Sequence, residues 1–145
     1  MMNTYKLKEY THCWSHNTIP KEKIDQILFE VQYIINNNTD IELQGEYDDE
    51  PPVINCNEII INGKGNYEYD IFSITFNEPI KYDECRTNKF PYDNIVCLIL
   101  LSIANNVNDF IFASDGNIEY WIPIIQKYIS YFGQINIDFN KHFIR

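Results

Sequence analysis

Residues 94–106, Asn-Ile-Val-Cys-Leu-Ile-Leu-Leu-Ser-Ile-Ala-Asn-Asn, are apolar almost throughout between their polar ends. A helix made from them has no side suited to water, so the rest of the chain must cover most of it. The run is well short of the roughly 20 residues that cross a bilayer, and nothing in the first ten residues reads as a signal-peptide core. A core helix in a soluble cytoplasmic protein is the expectation. At 145 residues one domain can bury roughly 70% of its unfolded surface, so the core needs neither metal nor disulfide. The four cysteines, Cys13, Cys56, Cys85 and Cys97, lack a secreted-scaffold spacing and are expected as free thiols, with Cys97 buried.

The remaining chain offers layers to cover that helix. Ile24, Ile27, Leu28, Val31, Ile34 and Ile35 recur at helical spacing after Pro20, with Thr18 as a possible cap and Asn36-Asn37-Asn38 as the stop. Lys21, Glu22, Asp25, Gln26 and Glu30 occupy the polar face. Residues 1–17 read as a short strand or an arm, and Ile41 and Leu43 as a brief strand. Residues 53–62 and 67–76 are β-type runs around Gly63-Lys64-Gly65-Asn66, a hairpin composition in which Asn62-Gly63 supplies a positive φ. The second run, with Phe72, Ile74 and Phe76 on one face and Tyr67, Tyr69 and Ile71 on the other, reads as a central strand. Residues 107–114 read as another strand. A third helix follows on Ile118, Trp121, Ile122, Ile125, Ile129 and Phe132, with regular turns from about Tyr120 because of Pro123, and an edge strand on Ile135, Ile137 and Phe139. This order predicts a single α+β domain over 1–145, with a largely antiparallel sheet and three main helices.

Eleven basic against twenty-one acidic residues give a net charge of −10, which opposes non-specific binding of DNA, RNA or anionic membranes. A small anion would need a locally positive pocket, whereas a basic protein would be drawn to the surface at large. His12-Cys13-x-x-His16 invites a zinc reading with Cys56 or Cys85, yet lacks the second paired motif of closed zinc sites. The acidic turn around Glu46, Asp48, Asp49 and Glu50 lacks the ligand spacing of an EF-hand and reads as solvated. Serine or cysteine nucleophile motifs with a placeable histidine are missing, and no pair of carboxylates is singled out by spacing. The sequence therefore supports no enzyme assignment, no cofactor and no metal.

Binding chemistry concentrates at residues 84–93. Arg86, Thr87 and Lys89 precede a helix started by Pro91 and Asp93, where free backbone N–H groups and the helix dipole favour an anion. The alternative is a plain helix start whose cations only keep that end solvated. Ser114 and Asp115 supply acceptors at a second helix start, while Tyr82, Tyr92 and Trp121 supply flat faces. Cations for phosphate with aromatics for stacking suit a nucleotide, unless the rings simply pack the core.

Ile61-Asn62-Gly63, Asp70-x-Phe72, Cys85-Arg86-Thr87-x-Lys89-x-Pro91-Tyr92-Asp93, Ser114-Asp115-Gly116, Trp121 and Phe132-Gly133 together resemble a widespread group of small phage and prophage proteins. Its pattern runs close to F-N-G, E-T-F, C-K-T-A-R-K-P-Y-D, S-S-D-G and W. The likeness covers about residues 53–133. Ile61 replaces an aromatic residue, Asp70 and Ile71 replace Glu and Thr, Arg86 replaces Lys, and Asn88 and Phe90 replace a small and a basic residue. The loss of a cation at Phe90 weakens the anion site. The group is similar to the Thoeris anti-defence sponges, which sequester cyclic ADP-ribose-derived signals or cyclic oligonucleotides without cleaving them. That resemblance implies a non-enzymatic homo-oligomer. Its ligand set would be Arg86, Thr87, Lys89, Tyr92, Ser114, Asp115, Trp121 and Asn62, with phosphate on Arg86 and Lys89 and a base on Tyr92 or Trp121. Two other readings compete with it: an acidic immunity or inhibitor protein for a basic toxin or nuclease, and a metal-dependent hydrolase.

Overall fold

A computed structural model of the chain describes residues 10–142. The apolar segment forms α2 (Asp93–Asn106), buried at every position from Ile95 to Ala104. Each isoleucine or leucine withdrawn from water there contributes about 1.5–3 kcal/mol, which makes α2 the organising element of the core. α1 (Lys21–Asn36) and α3 (Ile118–Phe132) pack against it. α1 does so through Ile24, Ile27, Val31 and Ile34, and α3 through Trp121, Ile124 and Tyr128.

Two antiparallel sheets complete the cover. The first has strand order β6 (Ile80–Arg86), β1 (Thr11–His16), β7 (Ile111–Ser114). In the second, β4 (Glu58–Gly63) pairs with β2 (Leu43–Gln44) and lies between β3 (Val53–Ile54) and β5 (Phe72–Thr75). Every strand pair is antiparallel. The result is the expected α+β architecture, with three α-helices and seven strands among the described residues. The sheets meet where the Trp14 and Phe72 rings lie 5.1 Å apart, and where Asp70 N–H donates to the Arg86 carbonyl at 3.1 Å. No described helix is long and apolar enough to cross a membrane.

Several local expectations are corrected. Of the short strand or arm read over residues 1–17, residues 11–16 form a strand, the middle one of its sheet, with alternate side chains His12, Trp14 and His16 buried on one face; residues 1–9 lie outside the described residues. β6 is a strand that the sequence reading did not include. β5 is an edge strand, since it pairs only with β4 and Tyr67, Tyr69 and Ile71 stay exposed. Residues 135–138 form no strand; the segment passes from Asn136, whose N–H meets Asn105 Oδ1 at 2.6 Å, to a 3₁₀ turn at Phe139–Lys141. α3 starts at Ile118 and tolerates Pro123 inside it. Pro20, not Thr18, occupies the N-cap position of α1, and no side chain caps it.

In the hairpin the positive φ belongs to Gly65, at 64°. Gly63 is needed for a different reason. A Cβ there would stand 2.1 Å from the Tyr67 carbonyl oxygen and 2.9 Å from the Tyr92 ring. Gly63→Ala is therefore expected to cost roughly 1–3 kcal/mol by overpacking against backbone, seen as a lower urea midpoint. An unchanged midpoint would mean that the 64–71 loop yields freely.

Candidate functional site

Strands β6, β1 and β7 finish at one corner, with Arg86 opposite Thr11 and Ser114 opposite His12. From β6 the chain must reverse within a few residues to enter α2. Asn88 and Lys89 achieve this with left-handed backbone, φ 54° and 59°, a conformation that disfavours any residue with a Cβ and lysine more than asparagine. Phe90 N–H closes the turn on the Thr87 carbonyl at 3.0 Å. From β7 the chain enters α3 through Ser114-Asp115-Gly116-Asn117. Asn117 Oδ1 caps α3 by accepting from Tyr120 N–H at 3.0 Å, and Asp115 accepts from Thr11 N–H at 3.0 Å. Ser114 Oγ accepts from Gly116 N–H at 2.9 Å and from the Trp121 indole at 3.2 Å. Two helices thus begin side by side at the end of one sheet.

Asp93 ties these pieces together. Its Oδ1 lies 2.6 Å from His12 Nε2 and accepts from Thr87 Oγ1 at 2.6 Å; its Oδ2 accepts from the Tyr120 hydroxyl at 2.5 Å and from Cys97 Sγ at 3.5 Å. Because a carboxylate only accepts, this arrangement sets a proton on His12 Nε2. Burial pushes the Asp93 carboxyl up, but hydrogen bonds from His12, Thr87 and Tyr120 outweigh it and hold the group below the usual carboxylate range. Burial, reinforced by the Asp93 charge, pushes the Tyr120 hydroxyl and the Cys97 thiol the other way. Cys97 is therefore a protonated hydrogen-bond donor and not a thiolate nucleophile.

His12, Asp93 and Cys97 form the one group of three potential metal ligands among the described residues. One imidazole, one carboxylate and one thiol suit zinc in type. Here, however, they are bonded to one another, so an ion would have to displace the His12–Asp93 contact. β1 does not gather His12, Cys13 and His16 around one point. Cys13 lies on the opposite face of β1 from both histidines, and four residues of strand hold the two imidazoles about 13 Å apart.

Other candidate residues divide between two sides of the corner. Thr87, Lys89, Ser114, Asp115 and Trp121 surround the Asp93 knot. Thr87, Ser114 and Trp121 are buried, while Asp115 and Lys89 are exposed. Arg86, Tyr92 and Asn62 lie on the Asp70 side. Arg86 grips Asp70 through Nε at 2.8 Å and Nη2 at 3.2 Å, and Asp70 Oδ2 also accepts from the Arg86 backbone N–H at 3.0 Å. Tyr92 is fully buried, its hydroxyl donating to the Asp70 carbonyl at 2.6 Å. Asn62 clamps the hairpin loop, accepting from Tyr69 N–H at 3.2 Å and donating to the Tyr69 carbonyl at 3.3 Å.

Lys89 differs from these. Its Nζ sits 4.8 Å from the Tyr10 ring centroid and 5.2 Å from that of Tyr120, within cation–π reach of both. Among the described residues no carboxylate pairs with it. A groove of about 480 Å³ begins next to this corner, at Asn94, and runs between α2 and α3 past Leu98, Pro123, Ile124 and Gln126 to Lys127.

Sequence reasoning missed His12, Cys97, Tyr10 and Tyr120 as members of the corner. The i, i+4 spacing of Asp93 and Cys97 on one helix was a usable signal. None existed for His12, whose partner is 81 residues away. No protein-family model matches the chain, and no curated protein or solved structure matches it either.

Proposed function

We propose that the protein binds a small anionic, nucleotide-type ligand at the corner where α2 and α3 begin and holds it without cleaving it. In a cell this would make it a cytoplasmic sponge for a cyclic nucleotide signal, the counter-defence role of the phage proteins it resembles. The observation that carries this reading is Lys89, an exposed ammonium with no carboxylate partner among the described residues, on a chain of net charge −10. It stands beside the N-termini of α2 and α3, whose helix dipoles add to its attraction for phosphate. The adjacent groove has a volume in the range that small ligands occupy, and the Asn94 and Gln126 amides on its wall can donate to and accept from a base edge. Retention without turnover fits the burial of His12, Asp93 and Cys97, which keeps their reactive atoms from a bound ligand.

Calorimetry against cyclic dinucleotides, cyclic trinucleotides and cyclic ADP-ribose isomers tests the proposal. One class should bind, and denaturation should release it intact. Lys89→Ala should weaken binding about 10- to 100-fold, the worth of one charge-assisted phosphate contact, while leaving the melting temperature in place. No binding across the panel, or wild-type affinity in the variant, would remove the proposal. A cleaved product would point to an enzyme.

A further inference from the structure

His12, Asp93 and Cys97 meet in the core from two elements, the first from β1 and the others from successive turns of α2. Each is at most 1% exposed. Cys97 Sγ stands 3.7 Å from His12 Nε2 and 3.5 Å from Asp93 Oδ2, while His12 Nε2 and Asp93 Oδ1 are 2.6 Å apart. A tetrahedral zinc with ordinary bond lengths keeps its nitrogen and oxygen ligand atoms about 3.3 Å apart and its sulfur about 3.5 Å from either. The two edges that run to sulfur are therefore present already, and only the His12–Asp93 edge is short. A hydrogen bond holds it short. The Nε2 proton of His12 and the thiol proton of Cys97 both point at one carboxylate, in the space that a single divalent ion would take.

We infer that His12 Nε2, the Asp93 carboxylate and Cys97 Sγ are the protein ligands of a zinc ion, bound in exchange for these two bridging protons. On binding, the Cys97 proton leaves to solvent, since coordination deprotonates a thiol that burial alone keeps protonated. The His12 proton moves to Nδ1, which is buried with no hydrogen-bond partner among the described residues and so has a lone pair to hold it. The metal-free cluster carries the single negative charge of Asp93. With zinc and a thiolate it carries none, and burial favours the neutral cluster. One imidazole, one thiolate and one carboxylate form a zinc set, whereas calcium and magnesium take oxygen ligands almost throughout. Thr87 Oγ1 and Tyr120 Oη, 2.6 Å and 2.5 Å from the carboxylate, orient it as outer-shell donors. The fourth corner is left to water. The site is independent of the nucleotide reading, since it does not use Lys89.

The ligands are reachable only while the core is open, so the full chain is refolded with one equivalent of zinc, or of cobalt as a spectroscopic stand-in. A Cys13→Ser, Cys56→Ser background removes the two thiols that are not buried. Native mass spectrometry after dialysis should find one zinc per chain, and a chelator should reverse the accompanying rise in melting temperature. The cobalt form should show a thiolate charge-transfer band in the near ultraviolet and the intense visible bands of a tetrahedral site. Cys97→Ser, which keeps a hydroxyl donor for Asp93, should abolish the charge-transfer band and weaken zinc binding by more than about 100-fold, beyond the loss typical of an outer-shell change. X-ray absorption of the zinc form without the Cys97 substitution should show sulfur together with nitrogen or oxygen neighbours, a readout that holds even if Cys97→Ser folds poorly. A chain that retains no zinc overturns the site. So does a zinc shell without sulfur, or a charge-transfer band and affinity that survive Cys97→Ser, which would mark the ion as adventitious or held by Cys85.

Discussion

Asp93→Ala should lower the stability of the chain by about 3–5 kcal/mol, the cost of breaking a buried charged contact from one side. The loss exceeds that of an ordinary surface carboxylate because four donors converge on this one, from β1, from the turn after β6, from α3 and from within α2. Alanine would leave the protons of His12, Thr87 and Tyr120 facing a dry gap. Asp93→Asn should cost less, since its oxygen can still accept on one side while its amide would face the Tyr120 hydroxyl and the Cys97 thiol. The effect also has a pH signature. The folded-state pKa of Asp93 lies below its unfolded value, near 4, so its stabilisation is complete above that value and is lost as the pH falls through the folded value. Urea unfolding followed from pH 7 down to pH 3 should show a shallower acid decline for Asp93→Ala than for the wild type. Parallel curves would mean that another carboxylate carries the acid sensitivity, and a loss under about 1 kcal/mol would show that the knot rearranges around the gap.

The second large effect is expected at Glu30. This residue sits on the polar face of α1 by sequence, yet it is 4% exposed, because α2 and α3 close over it. Its Oε1 accepts from the Tyr128 hydroxyl at 2.6 Å, Ser102 Oγ at 2.8 Å and Asn106 Nδ2 at 3.3 Å, and its Oε2 accepts from Gln26 at 2.9 Å. All three helices are joined at one carboxyl group. Burial, then the hydrogen bond to Glu30, raises the pKa of the Tyr128 hydroxyl, which stays a donor. Glu30→Ala strands at least two buried donors and should cost about 3 kcal/mol, or roughly 6–12 °C in melting temperature for a domain of this size. Glu30→Gln keeps one acceptor oxygen and should recover most of that. If glutamine and alanine prove equally damaging, the negative charge and not the acceptor is what the junction requires. Asp93 opens α2, whereas Ser102 and Asn106 lie in its last turns, so the two losses should add.

The apolar period of α1, the all-round hydrophobicity of α2 and the turn residues around α3 made the helices and the α+β class legible, since each is a local pattern. The strands were harder. β6 reads Ile-Lys-Tyr-Asp-Glu-Cys-Arg, with only Cys85 fully buried, so its β character comes from pairing with β1 and not from its own alternation. Residues 135–139 alternate well and form no strand, because they settle against the core singly with no partner to bond. At the corner, chemical type was legible and roles were not. Arg86 and Lys89 are both cations three residues apart, but Asp70 engages the first, and only the tertiary meeting of residues 70 and 86 separates them. Trp121 and Tyr92 read equally as stacking platforms or core, and their partners in space place both inside.

β1 has a consequence for how fast the chain can fold. It lies between two strands that both follow it in sequence, and its corner contacts span 81 residues to Asp93 and 104 to Asp115. Closing loops of that length costs conformational entropy before any contact compensates, and topologies dominated by such distant pairs fold orders of magnitude more slowly than local helical ones. During synthesis β1 exists long before either partner, and β6 and β7 stay unpaired along their inner edges until it inserts. The three helices can form early from local contacts, but the sheet is completed by a strand arriving from the far end of the chain. Its insertion is the step expected to set the refolding rate and the period in which open strand edges are exposed to aggregation.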